Sequence, residues 1–192
     1  MCWIPNLLTL SRLVLLLPVM GLLAYATAPG GYWAAFALFL VAALTDALDG
    51  WAARRLGCAG NLGIFLDPLA DKVFANVLLI DLACRLPEWV SLWVVLLLLA
   101  REFVVQGFRS MAPCVGVVIR TGALSKLKLV FQLVAIGTAL AGQAWADMAD
   151  VLKWATWLAL GMALASAYVS MYRVLRDNAD LWRRPPVPME VR

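Results

Sequence analysis

An all-α polytopic membrane protein, with six transmembrane helices and a short N-terminal interfacial helix, is the fold class this sequence predicts. Three observations predict it. Of the 192 residues 64% are hydrophobic, with a mean hydropathy of +0.86, outside the usual range for a water-soluble domain of this length. The apolar residues fall in runs of the length that crosses a bilayer, about 20 residues each. Breaks at Ala28-Pro29-Gly30-Gly31, Leu56–Gly60, Arg85-Leu86-Pro87 and Met111-Ala112-Pro113 divide those runs.

The elements follow in order. Met1–Thr9 mixes Trp3, Ile4, Leu7 and Leu8 with Asn6 and Thr9, and Pro5 stands as in a first helical turn, which predicts a short helix in the membrane interface. Spans are predicted at about 10–28, 32–56, 62–84, 88–111, 122–142 and 150–176. The first apolar run lacks a strongly basic flank and an A-x-A-like cleavage site, so it reads as a retained span and not as a signal peptide. Residues 1–176 then form one membrane domain. Residues 177–192 form a basic tail whose Arg183-Arg184-Pro185-Pro186-Val187-Pro188 suits anionic headgroups.

Charge sets the expected orientation, because Lys and Arg concentrate in cytoplasmic loops. Arg54 and Arg55 follow span 2; Arg109, Arg120, Lys126 and Lys128 lie around the connection of spans 4 and 5; Arg173, Arg176, Arg183, Arg184 and Arg192 trail span 6. The other side carries Arg85 and Lys153 beside Glu88, Asp147 and Asp150. Both termini are therefore expected in the cytoplasm. No nucleic-acid partner is expected.

The chemistry open to the chain is narrow. It has no histidine, so the commonest general base and the imidazole metal ligand are excluded. The four cysteines, Cys2, Cys58, Cys84 and Cys114, form no C-x-x-C pair, which points away from structural zinc or a disulfide framework. Acid, base or metal chemistry must use carboxylates.

Four carboxylates stand together in TDALDGWAARRLGCAGNLGIFLDPLADK, at the expected cytoplasmic ends of spans 2 and 3. One Asp at the centre of a span costs about 2.5 to 3.5 kcal/mol on a translocon scale, so such residues are functional candidates by default. Asp46 and Asp49 are spaced i, i+3 and Asp67 and Asp71 i, i+4, so each pair projects from one helix face. A short turn between antiparallel helices lets the faces meet. Four carboxylates at close range repel, and two divalent cations would offset the charge. Oxygen-only ligands favour Mg²⁺, with Mn²⁺ as the alternative, and paired ions suit displacement at phosphorus. Gly50, Ala53 and Gly63, each four residues from one of these Asp residues, keep bulk off the carboxylate faces, and Arg54 supplies a guanidinium suited to phosphate. A lone intramembrane Asp is often a pairing residue, and a lone Gly an ordinary helix contact. The joint pattern is harder to explain that way.

Written out, the segment is D-x-x-D-G-x-x-A-R, eight residues, then G-x-x-x-D-x-x-x-D, which resembles the signature of the CDP-alcohol phosphatidyltransferase family at Asp46, Asp49, Gly50, Ala53, Arg54, Gly63, Asp67 and Asp71. The resemblance implies a six-helix membrane domain, a homodimer, and a CDP-linked lipid as donor. It further implies that Asp46, Asp49 and Asp67 hold one metal, that Asp46, Asp67 and Asp71 hold the second, and that Asp71 is the base for the acceptor hydroxyl. Gly50, Ala53 and Gly63 would line the cytidine site, with Arg54 on the donor phosphates.

WIPNLLTLSRLVLLLP, FLDPLADK and AREFVVQGFRS are similar to one bacterial branch of that family, whose donor is CDP-diacylglycerol and whose acceptor is sn-glycerol 3-phosphate. SKLKL resembles the branch's G-K-x-K-T, with Ser125 in place of Gly and Leu129 in place of Thr. An anionic acceptor calls for fixed positive charge, and Arg109, Lys126 and Lys128 match the branch best, with Arg101 and Arg120 as further candidates. The bland alternative for each is a topology-setting charge. Glu102, beside Arg101, reads as an ion-pair or helix-orienting residue. Rival acceptors are phosphatidylglycerol, an inositol phosphate or serine. A metal-ion transporter would spread its carboxylates along a pathway through several spans, whereas these are confined to one hairpin.

Overall fold

The computed structural model describes residues 4–26, 29–56, 61–117, 119 and 122–179, with the side chains of 4–13, 29, 46–56, 61–68 and 123 outside the description. Among the described residues every regular element is helical: α1 (Ile4–Tyr25), α2 (Pro29–Leu56), α3 (Asn61–Arg85), α4 (Leu92–Met111), α5 (Ala123–Ala144) and α6 (Ala149–Asp177), with 3₁₀ turns at Ala112–Val115 and Ala146–Met148. The predicted tail lies almost wholly outside the described residues.

Two boundaries differ from expectation. The expected interfacial helix is not a separate element, since α1 is unbroken from Ile4. Nothing in the sequence ends a helix between Thr9 and Arg12, and the next breaker, Pro18, is absorbed inside α1. Helix α4 starts at Leu92 and not near residue 88. The Leu86 carbonyl accepts from both Trp89 N–H (2.9 Å) and Val90 N–H (3.0 Å), closing a turn that carries Pro87 before Ser91 opens the helix.

Helices of 20 to 29 residues are about 30 to 44 Å long at 1.5 Å per residue, enough for a hydrocarbon core of about 30 Å. On length and composition together, two stretches among the described residues are apolar enough to cross a membrane, Leu124–Ala144 and Ala146–Asp177. Helix α4 carries Arg101, Glu102 and Arg109, so its composition is less uniform.

Helices α5 and α6 share the most extensive packing; α2 lies against α1 and α5, α3 against α1, α4 and α5, and α4 against α6. The main core joins Val19 and Leu23 of α1, Phe39 of α2, Phe74, Leu78 and Leu82 of α3, Ile136 and Leu140 of α5 and Leu160 of α6. Phe39 and Phe74 stack with ring centroids 6.2 Å apart. Between α4 and α6, Leu98 packs on Ala163 and Ala167, small residues that let the backbones approach. Buried polar side chains pair across helices: Gln132 Nε2 donates to Asn76 Oδ1 (3.2 Å), and the Thr138 and Thr156 hydroxyls lie 2.9 Å apart. Outward, Leu17, Trp93, Phe103, Trp154 and Leu158 are each more than half exposed, as expected of surfaces that face lipid.

The two ends of the bundle differ. Where α2 and α6 begin and α3 and α5 end, Trp33 packs on Trp145, Trp89 sits against Gly142, and Lys153 meets Glu88 at 3.4 Å. Tryptophans crowd this end, in the manner of a membrane-interface belt. The opposite end, where α4 stops and α5 starts, carries Arg109 and Lys126 and leads to the carboxylate hairpin.

Candidate active site

The carboxylates lie on helical backbone. Helix α2 is continuous through Asp46 and Asp49, and α3 through Asp67 and Asp71, so the i, i+3 and i, i+4 spacings place each pair on one face. Asp71 has a described side chain and is half-buried. The side chains of Asp46, Asp49, Asp67, Ala53 and Arg54, and the surroundings of Gly50 and Gly63, lie outside the described residues, as does Arg120. The donor set fits a hard divalent ion: carboxylate oxygens, two helical pairs, with no histidine anywhere in the chain.

Next to Asp71 in the chain, Lys72 opens a second constellation. Its Nζ lies 3.3 Å from Glu102 Oε2 on α4 and donates to Gln106 Oε1 at 3.3 Å. The other Glu102 oxygen, Oε1, accepts from Arg101 Nη1 at 2.9 Å and from Lys128 Nζ of α5. Three cations from three helices thus converge on one buried carboxylate. Arg101 reaches further: its Nε donates to the Ala167 carbonyl of α6 (2.9 Å), and its Nη2 to Ser125 Oγ (3.4 Å), which is 2.9 Å from Ser170 Oγ.

Burial makes this cluster strongly interdependent. Arg101 and Lys128 are each 3% exposed and Glu102 9%. Breaking a buried pair by removing one partner typically costs about 3 to 5 kcal/mol, because a charge is stranded. Among the described ion pairs of this cluster, three cations meet one carboxylate. A surplus of positive charge in a low-dielectric site attracts an anion.

Arg109 extends that surplus. It stands on α4 seven residues after Glu102, on the same helix face as Gln106. Its Nε and Nη2 are buried without a hydrogen-bond partner among the described residues. Those two nitrogens form one edge of the guanidinium, the edge that grips a carboxylate or phosphate with two parallel hydrogen bonds. Unmet buried donors of this kind call for a ligand.

The predicted acceptor residues therefore divide. Arg101 and Lys128 are drawn together around Glu102, Arg109 keeps two donors without a partner among the described residues, and Lys126 is exposed. Glu102 is an ion-pair residue, as its neighbour Arg101 suggested. The two departures from the branch pattern both have a place: Ser125 hydrogen-bonds within the cluster, and Leu129 packs against the main core. Lys72 and Gln106 were not singled out from the sequence. A signal existed for Lys72: it lies eleven residues beyond Asn61 and Glu102 nine before Met111, similar depths on antiparallel helices, and a charge at such depth needs a partner.

A family model described as CDP-alcohol phosphatidyltransferase matches residues 2–166. Relatives carrying the name CDP-diacylglycerol–glycerol-3-phosphate 3-phosphatidyltransferase are similar to the chain. The one from Bacillus subtilis (strain 168) is 33% identical over 149 residues, covering 71% of this chain and 76% of the relative. That from Shigella flexneri serotype 5b (strain 8401) is 30% identical over 178 residues, covering 90% and 91%. That from Pseudomonas fluorescens is 44% identical over 109 residues, covering 55% and 54%.

Proposed function

Because the chain belongs to the CDP-alcohol phosphatidyltransferase family, we propose that it transfers a phosphatidyl group from CDP-diacylglycerol to sn-glycerol 3-phosphate, giving phosphatidylglycerol phosphate and CMP. The observation that carries the choice of acceptor is the surplus of positive charge beside Asp71. Lys72, Arg101 and Lys128 surround one carboxylate, and Arg109 offers two unpartnered donors nearby on the same helix. An uncharged polyol has no use for that charge.

Asp46, Asp49, Asp67 and Asp71 would hold two Mg²⁺ or Mn²⁺ ions. When bound, such ions neutralise phosphate charge and stabilise the leaving nucleotide. Asp71 accepts the proton of the acceptor hydroxyl as its oxygen attacks the β-phosphorus of the donor. The phosphoanhydride bond then breaks and its electron pair leaves with CMP. Arg54 holds the donor phosphates, and Gly50, Ala53 and Gly63 leave space for the cytidine. Arg109 orients the acceptor by its phosphate, with Lys126 at the rim. No covalent enzyme intermediate is needed.

With six spans this site would lie at the cytoplasmic face. The tryptophan-rich end opposite, and the basic residues at this end, support that orientation under the positive-inside rule. The soluble reactants arrive from the cytoplasm while the acyl chains stay in the leaflet. The test is product identity: purified enzyme is given CDP-diacylglycerol and a panel of glycerol 3-phosphate, inositol phosphate, serine and phosphatidylglycerol, and the lipid formed is weighed by mass spectrometry. Phosphatidylglycerol phosphate is expected, and exclusive formation of another lipid overturns the acceptor assignment.

A further inference from the structure

We infer that Glu102 is a positioning residue for the transfer reaction, holding Lys72, Arg101 and Lys128 as one preorganised cationic wall for the acceptor's phosphate; this rests on the acceptor reading above. Glu102 itself touches neither metal nor reacting atoms in this account. It acts through the three side chains it gathers.

The geometry argues for an organising role. Both carboxylate oxygens are used, Oε2 towards Lys72 and Oε1 towards Arg101 and Lys128. The groups come from α3, α4 and α5, and Arg101 continues to the Ala167 carbonyl on α6. Four helices are thus joined at one depth, and the tie to α3 falls one residue from Asp71. A hydrophobic core could hold four helices together without ions, and often does so with equal stability. What such a core could not do is keep three cations close together, one of them the residue that follows Asp71 in the chain. Without Glu102 the cations repel and separate. With it they stay together and retain surplus charge, the condition for binding an anion without paying reorganisation at each turnover.

Glu102→Gln is the informative substitution. It preserves size but replaces one acceptor oxygen with an NH₂ donor. Whichever way the amide turns, a donor then faces a cation, either Lys72 on one side or Arg101 and Lys128 on the other. The cationic wall should open while the donor-lipid site on the α2–α3 hairpin is left intact. The expected result is a rise of about tenfold or more in KM for glycerol 3-phosphate, with KM for CDP-diacylglycerol little changed. Glu102→Asp, which keeps the charge on a shorter arm, should recover part of the loss.

The experiment measures both KM values and kcat in detergent-purified wild type, E102Q, E102D, K128Q and the double variant E102Q/K128Q, with thermal unfolding recorded for each. The double variant removes a cation together with the carboxylate, so it keeps the question answerable where E102Q fails to fold. With K128Q alone as the reference for acceptor KM, a structural role predicts that the double variant regains stability and matches that reference. The positioning role predicts recovered stability with acceptor KM raised above it. Equal shifts in the two KM values, no shift in folded E102Q, or a double variant that matches the K128Q reference overturns the inference. If the wild type makes no phosphatidylglycerol phosphate, the acceptor reading fails separately. The same comparison is then run with the acceptor that the panel identifies, an anionic one with a selective KM shift supporting the positioning role and a neutral one overturning it.

Discussion

Lys72 on α3 places its Nζ 3.3 Å from Oε2 of Glu102 on α4, one residue beyond Asp71 in the chain. The same ammonium donates to Gln106 at 3.3 Å, so the helix bearing the proposed base is fixed in rotation by two side chains of its neighbour. Lys72→Met keeps the apolar stem and removes the charge. Acceptor kcat/KM should fall by about tenfold or more, the worth of one charged hydrogen bond, with donor KM unchanged. Wild-type steady-state kinetics in this variant would make Lys72 a counter-ion only.

Arg109 differs from its basic neighbours in having two buried donors without a partner among the described residues. Arg109→Met should raise KM for glycerol 3-phosphate about ten- to hundredfold, since each charge-assisted contact is worth about 1.5 to 3 kcal/mol. Lys126, which is exposed, should give a smaller change when neutralised. Kinetics of the two variants side by side decide the matter, because a topology-setting charge would alter insertion or expression and leave KM alone.

Metal dependence follows from a donor set of carboxylates with no histidine. Chelation with EDTA should abolish CMP release, and Mg²⁺ or Mn²⁺ should restore it. Full activity in demonstrably metal-free protein would exclude the two-ion site.

The four carboxylates should not respond alike. Asp46→Asn, at a position assigned to both ions, should raise the metal concentration needed for half-maximal activity. Asp71→Asn should chiefly lower turnover at saturating metal, by about 10²- to 10⁴-fold, the usual loss on removing a general base. Metal titrations of activity separate these outcomes, and wild-type turnover by Asp71→Asn would remove its base role.

At the other end of the bundle a glycine is required by shape. A Cβ on Gly142 would overlap the ring of Trp89, which closes the α3–α4 turn against α5. Gly142→Ala should destabilise the protein by about 1 to 3 kcal/mol, as overpacking does, read as a lower Tm in detergent. Adding Trp89→Leu should relieve the overlap and recover part of that loss. An unchanged Tm in the single variant would show that Trp89 moves aside freely.

Much of this was legible from the chain. Six helices follow from apolar runs and Gly/Pro breaks because lipid leaves the backbone no other way to satisfy its hydrogen bonds than within each helix. The carboxylate pairs were legible too, since i, i+3 and i, i+4 are local spacings that a helix converts directly into a shared face. The start of α4 is not legible in the chain because Leu86, Glu88 and Val90 fit either a turn or a helix; the carbonyl of Leu86 decides it. The N-terminal segment looks separate because its polar residues suit an interface, although nothing there stops a helix.

Which charges meet is a different kind of question. The sequence by itself determined the all-helical class and the placing of Asp46 with Asp49, and of Asp67 with Asp71, on shared helix faces, because each depends on residues within one or two turns. Tertiary structure alone decided that Lys128 is spent on Glu102, that Lys72 joins them, that Ser125 supports Arg101 and that Arg109 keeps two donors unmet. Those contacts join residues 24 to 30 positions apart in the chain, and depend on how helices rotate and slide against one another. Local periodicity carries no record of that rotation; the packing of Phe74, Leu98 and Ile136 sets it.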